Sequence, residues 1–189
     1  MSRFAAVAAS LLLLAATGPT AVAEPDAEPH EATPLAPAPR RDMRFEGTWE
    51  LRRPRTAWRS RERAIQRATA RLGLFVREPA RRQLREKIPV HYRVVLGATP
   101  EGLHTRAGAY DLTLPLDGAA HPWVDPWGAS YRVRQHVGPD GMLVQRFTAS
   151  GRSLTQTLRV DGNEAALTVV ATARRLPRPV RFTAGYQRR

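Results

Sequence analysis

The run Phe45-Glu46-Gly47-Thr48-Trp49-Glu50-Leu51 decides the fold. Phe45, Gly47, Trp49 and Leu51 alternate with Glu46, Thr48 and Glu50. Period-two alternation marks a strand with one face in a core and the other in water. The residues before this strand read as a signal and a spacer. Those after it read as two helices and then only strands.

Upstream, Arg3 gives a positive start, Phe4 to Ala16 an apolar run, and Ala21-Val22-Ala23 a small-x-small cleavage site. That is the layout of a secretory signal cleaved after Ala23, and its apolar run is short for a bilayer span. A periplasmic or secreted protein is the expectation. Residues 24–43 are rich in Pro, Ala and acids, with Leu35 and Met43 as the only larger apolar side chains. Such a segment buries too little to offset its ordering entropy, which predicts a flexible, partly extended spacer. The single folded domain is then 44–189. The chain contains no cysteine, so disulfides and lipid attachment through a thiol are excluded and the core must stand on burial alone.

Without residues 1–23 the chain keeps 29 Lys and Arg against 17 acids, a net charge of +12. Only Lys87 among these bases is a lysine. The charge favours anionic surfaces. No helix-turn-helix, zinc module or basic strip interleaved with aromatics is visible, so nucleic acid is not an expected partner. His91, His104, His121 and His136 lack metal-binding spacing, and no serine has nucleophile-elbow context. Asp111, Asp117, Asp125 and Asp140 fall at strand edges and turns. The sequence therefore predicts neither an enzyme nor a metal or cofactor site.

Downstream, Arg52-Arg53-Pro54 breaks the strand and Thr56 is placed to cap a helix over about 57–73. Ala57, Ala64, Ile65, Ala68 and Leu72 share one face with Arg61, and Gly73 supplies a stop. Leu74-Phe75-Val76 reads as a short bridge. A second helix opens at Glu78-Pro79, with proline in the first turn, and runs to about Lys87 with Ala80, Leu84 and Ile88 inward. Between Trp58 and Lys87 there are ten bases against three acids, a local net of +7. Arg59, Arg63, Arg67, Arg81, Arg82 and Arg85 are the candidates for contact with an anionic membrane; the plainer reading is a solvated lid face.

From Val90 onward, strands are predicted over 90–96, 103–106, 110–116, 130–137, 142–149, 153–160, 165–174 and 180–188. Residues 117–128, holding Trp123, Trp127 and two prolines, read as a long connection. Gly138-Pro139-Asp140-Gly141, Ser150-Gly151 and Asp161-Gly162-Asn163 are hairpin turns. A sheet this long tends to close on itself, and with hairpins at nearly every link the expected fold is mainly β. It is an up-and-down antiparallel barrel of about 9–10 strands with a helix-turn-helix lid over 56–88, expected to be monomeric.

With Phe45, Gly47, Trp49 and Leu51 at the first strand, a helical pair after it and Tyr186-Gln187-Arg188 at the end, the chain resembles the calycins. Within that group it is most similar to the fatty-acid-binding-protein-like, or lipocalin-like, barrels. Gly73 to Arg85 is also similar to an element of exported bacterial proteins. The resemblance implies a lumen that holds a fatty acid or similar lipid-like small molecule. It also implies that Phe45, Gly47, Trp49 and Arg188 close the barrel's bottom, with the guanidinium across the indole. In many such barrels two arginines and a tyrosine on the last strands grip the ligand's carboxylate. Tyr186 matches the tyrosine, but Ala184 stands where one arginine is expected and Thr157 or Leu158 where the other is. That clamp is absent or rebuilt here.

Turn register assigns the lumen face of the late strands: Leu143, Gln145 and Phe147; Leu154, Gln156 and Leu158; Leu167, Val169 and Ala171; Phe182, Ala184 and Tyr186. Arg146, Thr155, Arg159, Thr168, Arg181 and Thr183 take the other face. Gln145, Gln156 and Tyr186 are then polar handles in an apolar lining, as an orienting small-molecule site needs. The functional expectation is an exported carrier of an apolar or amphipathic molecule in the cell envelope. The alternative is a filled barrel whose basic exterior binds an acidic partner.

Overall fold

A computed structural model describes residues 43–189. The expected signal, and the spacer up to its last residue, lie outside the described residues. A 3₁₀ turn, Met43–Phe45, leads into β1 (Gly47–Leu51), α1 (Pro54–Thr69) and α2 (Leu74–Lys87). Strands β2 (Arg93–Thr99), β3 (Gly102–Ala107), β4 (Tyr110–Leu114) and β5 (His121–Val124) come next. The chain then runs through β6 (Ser130–Val137), β7 (Leu143–Ala149), β8 (Arg152–Asp161), β9 (Glu164–Ala173) and β10 (Val180–Arg188). The strands form one ten-stranded sheet in the order β4-β3-β2-β1-β10-β9-β8-β7-β6-β5. Every pairing is antiparallel, and the first strand pairs with the last through Trp49↔Arg188 and Leu51↔Tyr186.

That pairing rolls the sheet into a nearly closed, up-and-down barrel. Among the described residues its one unladdered seam lies between β4 and β5, where side-chain contacts join a few backbone bonds in closing the wall. Tyr110 on β4 stacks on Trp123 of β5 with ring centroids 5.8 Å apart. Farther along, the Gln135 amide of β6 donates to the Leu114 carbonyl at 2.9 Å, and the Gly118 N–H donates to the Gln135 carbonyl at 2.9 Å. Gly102 opens β3 at φ +141, and a Cβ there would collide with the Leu114 carbonyl oxygen. Only glycine lets β3 and β4 approach this closely.

Tight turns set the register of the remaining wall. Gly151 and Gly162 sit at positive φ in the β7–β8 and β8–β9 links, and the Asp140 carboxylate accepts from the Met142 N–H at 3.1 Å in the β6–β7 turn. These are the conformations that two-residue and Asx-type hairpin turns require.

Five local expectations differ from the structure. The first helix starts at Pro54, not after a Thr56 cap, because proline's fixed φ and missing N–H suit the first helical position. It ends at Thr69, and Gly73, expected as its stop, precedes the first turn of α2 instead. Leu74-Phe75-Val76 is therefore not a bridge but that first turn, and Pro79 lies inside the helix. So near the N-terminus the proline removes one internal hydrogen bond from a helix with no fully buried residue, a loss it tolerates. Finally, 117–128 contains β5, and the 90–96 strand starts only at Arg93.

Two ends of the barrel are closed differently. At the bottom, Phe45 and Trp49 are fully buried among Leu96, Leu103, Leu143 and Leu158. The Trp49 indole N–H donates to the Phe45 carbonyl at 2.9 Å, and the Arg188 guanidinium lies 4.7 Å above the Trp49 ring. A guanidinium nitrogen of Arg188 also donates to the Arg44 carbonyl. Gly47 turns the chain between them at φ +132. At the other end α1 seats Ala64, Ile65 and Ala68 on Val169, Ala171, Val180 and Phe182. Arg85 of α2 ties back to α1 through a two-pronged bond to Glu62, at 2.9 and 2.6 Å.

Candidate functional site

The barrel encloses a cavity of about 1100 Å³. This is just above the roughly 300–1,000 Å³ usual for small-molecule pockets. A lumen packed by its own side chains would leave voids scarcely larger than a water molecule. All twelve residues that the turn register assigned to the lumen face line it: Leu143, Gln145, Phe147, Leu154, Gln156, Leu158, Leu167, Val169, Ala171, Phe182, Ala184 and Tyr186. Their alternation works because each hairpin turn holds the strands in a single register, so i and i+2 fall on one face. Trp49 also reaches the wall, at the bottom end.

The lid supplies Ala80 and Leu84 to the wall from α2 and Ile88 from its C-cap, with Leu72 from the corner between the helices. The exposed members of the lining come from α2 (Val76, Pro79, Gln83), the β7–β8 turn (Ser150, Gly151, Arg152) and the β9–β10 corner (Thr172, Arg174, Arg175). The cavity opens there. Of the basic lid residues, Arg59, Arg63, Arg67 and Arg82 are exposed and lie outside the wall. Arg81 bonds Thr69 and Glu78, and Arg85 is held by Glu62.

The polar handles differ in what they have left to offer. Gln145 is buried, and its amide donates to the Thr105 hydroxyl at 3.0 Å and to the Gln135 side-chain oxygen at 2.5 Å. Gln135 is fully buried and was not among the residues singled out from sequence, although Tyr131, Val133, Gln135 and Val137 alternate inward along β6. The Tyr186 hydroxyl donates to the His91 carbonyl at 2.9 Å. Burial pushes the Tyr186 pKa up to about 12, so it is a neutral phenol whose oxygen is left to accept. Gln156 makes no side-chain hydrogen bond among the described residues and presents a free amide to the lumen.

An aromatic group missed in the sequence lines the seam side. His91, Tyr110, Trp123, Tyr131 and Phe147 form a chain of edge and stacked contacts 5.4–6.5 Å apart. All five line the cavity. Burial holds the His91 pKa below its ordinary value, so the ring is neutral at pH 7. Trp127, outside, meets Tyr110 edge-on and lies under Lys87, whose ammonium is 4.8 Å from its ring centroid and 3.6 Å from the buried Asp125 carboxylate. Asp125 itself accepts from the Trp127 and Ala129 N–H groups. The chain's one lysine thus latches the C-terminal end of α2 to the β5–β6 turn.

A ten-stranded up-and-down barrel with a helical pair between its first two strands, surrounding an apolar lumen, has a calycin-like barrel fold. Among solved structures, a secretary abundant heat soluble protein from Ramazzottius varieornatus superposes with a TM-score of 0.53 at 13% identity, covering 77% of this chain and 96% of that one. Echinococcus granulosus fatty-acid-binding protein 1 matches at a TM-score of 0.49 and 14% identity, covering 77% and 97%. The Schistosoma mansoni fatty acid binding protein in complex with arachidonic acid matches at 0.47 and 14%, covering 77% and 96%. At these identities the likeness is one of fold. No protein-family model matches the sequence, and no curated protein matches it.

Proposed function

We propose that this chain is an exported carrier that binds an apolar or amphipathic, lipid-like small molecule in its lumen, as a binder and not a catalyst. The observation that carries the reading is the cavity of about 1100 Å³ with an apolar lining and few placed polar groups. A barrel acting only through a basic exterior would have no need of that volume. The resemblance in fold to barrels named for fatty-acid binding is consistent with the reading but adds no argument about this chain's ligand. The test is titration with Nile red, a neutral apolar dye. Saturable binding at one dye per chain supports a lumen site, and fluorescence that rises without saturation rejects it. Export is tested separately by the N-terminal residue of protein recovered from its own host, which should be Glu24.

The lid docks on anionic membrane in this proposal. Support comes from the start of α2, where Leu74, Phe75 and Val76 are 76%, 96% and 57% exposed. Arg71, Arg77 and Arg82 surround this apolar step in sequence. Apolar side chains beside bases suit the boundary between acyl chains and anionic headgroups, where each base contributes about 1 kcal/mol. Co-sedimentation with phosphatidylglycerol vesicles should exceed that with phosphatidylcholine vesicles, fall with salt, and drop in a Leu74→Ser/Phe75→Ser/Val76→Ser variant. Equal sedimentation with both vesicles would remove the membrane role.

A further inference from the structure

The arginines of the cavity wall are confined to its mouth, and this dictates which way round an amphiphile lies. Lys87, Arg152, Arg174 and Arg175 belong to the wall, and no Asp or Glu among the described residues lines it. The arginines gather at one rim: Arg152 pairs with Ala173 in the β8–β9 ladder, and the Arg174 N–H donates to the Gly151 carbonyl at 2.8 Å. All three are exposed. Arg174 and Arg175 make no ion pair or side-chain hydrogen bond among the described residues, and the Arg152 guanidinium rests 5.2 Å from the Tyr131 ring centroid. Lys87 is already engaged by Asp125.

Deep in the barrel the chemistry is the reverse. Gln145 is spent on Thr105 and Gln135, and Tyr186 is a neutral donor to a backbone carbonyl. Ala184 stands on the inner face beside Tyr186. An acid group carried to that depth would lose its hydration and meet no countercharge, which is a costly state. At the rim it stays hydrated and meets three guanidinium forks, whose geometry suits carboxylate and phosphate alike.

We propose that the cavity takes a single-chain acidic amphiphile tail first, with its carboxylate or phosphate head held at the mouth by Arg152, Arg174 and Arg175. This rests on the lumen-binding reading and adds the charge and the position of the head. The polarity is opposite to that of a barrel with an arginine clamp at its inner end.

Displacement of Nile red from the full chain by dodecanoate, dodecyl phosphate, dodecanol and dodecyltrimethylammonium tests it. At low salt both acids should displace the dye at about a tenfold lower concentration than dodecanol, and the ammonium should be weakest. The advantage of the acids should shrink as salt screens the exposed rim. In Arg152→Gln/Arg174→Gln/Arg175→Gln the acids should lose that advantage, with dodecanol reporting that the lumen still forms. A larger loss for the phosphate than for the carboxylate would identify the phosphate as the preferred head, and the reverse would favour the carboxylate. Equal displacement by acid and alcohol in the natural chain would overturn the rim site and leave the carrier reading standing. A preference for acids that survives both the triple variant and high salt would place the head elsewhere and overturn it too. Absence of saturable dye binding would remove the carrier reading itself, and the rim site with it.

Discussion

Replacing Gln156 by Phe separates an open lumen from a packed one by the sign of its effect. Gln156 stands in the middle of β8, opposite Gln145 on β7 and Val169 on β9, half-buried and facing the cavity. It makes no side-chain hydrogen bond among the described residues, so the substitution breaks none. In a core of ordinary density the added ring would force neighbours aside and cost about 1–3 kcal/mol. Here it projects into about 1100 Å³ of free space. Full burial of a Phe side chain is worth about 1.5–3 kcal/mol, and with one side left against the open lumen roughly half of that or less is realised. The expected change is therefore between zero and a gain of about 1 kcal/mol, or up to about 4 °C in Tm for a domain of this size. Urea unfolding measures it directly. A loss of about 1 kcal/mol or more, with unchanged m-value, would mean that the lumen is filled and that the carrier argument fails.

Three other perturbations have expected outcomes. Arg188→Ala removes the cation over Trp49 and the donor to Arg44, and should cost about 1–3 kcal/mol in urea unfolding, with Arg188→Lys recovering only part. Lys87→Met leaves the buried Asp125 without its cation and frees the end of α2; stopped-flow dye release should quicken several-fold, with a stability loss of about 1 kcal/mol. Because burial depresses the His91 pKa below 6.5, the unfolded chain takes up that proton first as pH falls. Stability should therefore be highest above about pH 6.5 and decline below it, levelling once the pH passes the folded pKa; urea midpoints between about pH 7.5 and 5 should flatten in His91→Gln.

The wall of the barrel was legible from residue order because its code is local. Leu143, Gln145 and Phe147 alternate against Val144 and Arg146, and Gly151 and Gly162 fix where each strand turns, so the inward face comes from parity. The first-strand motif together with the Tyr186-Gln187-Arg188 ending gave the closure, since Trp49 and Arg188 meet as ladder partners. Helix ends were less legible. Pro54 and Pro79 have the same chemistry, yet one starts a helix and the other sits inside one, because what the missing N–H costs depends on position relative to a terminus the sequence does not mark. Strand β5 was hidden behind Pro122, Asp125 and Pro126, residues that locally favour turns; its reason to be a strand is Trp123 against Tyr110 and Phe147, which are near only in space. The rim escaped notice for the same reason. Arg152 starts one strand while Arg174 and Arg175 trail another, and they look like ordinary solvated turn residues until the ladder brings them together.

Native mass spectrometry of the protein purified from its own host, followed by solvent extraction, addresses the lumen itself. The expected result is a chain carrying one lipid-sized mass that extraction removes, after which the emptied chain takes the extract back at one molecule per chain. A bare chain mass, together with an emptied protein that rebinds nothing saturably, would contradict the account.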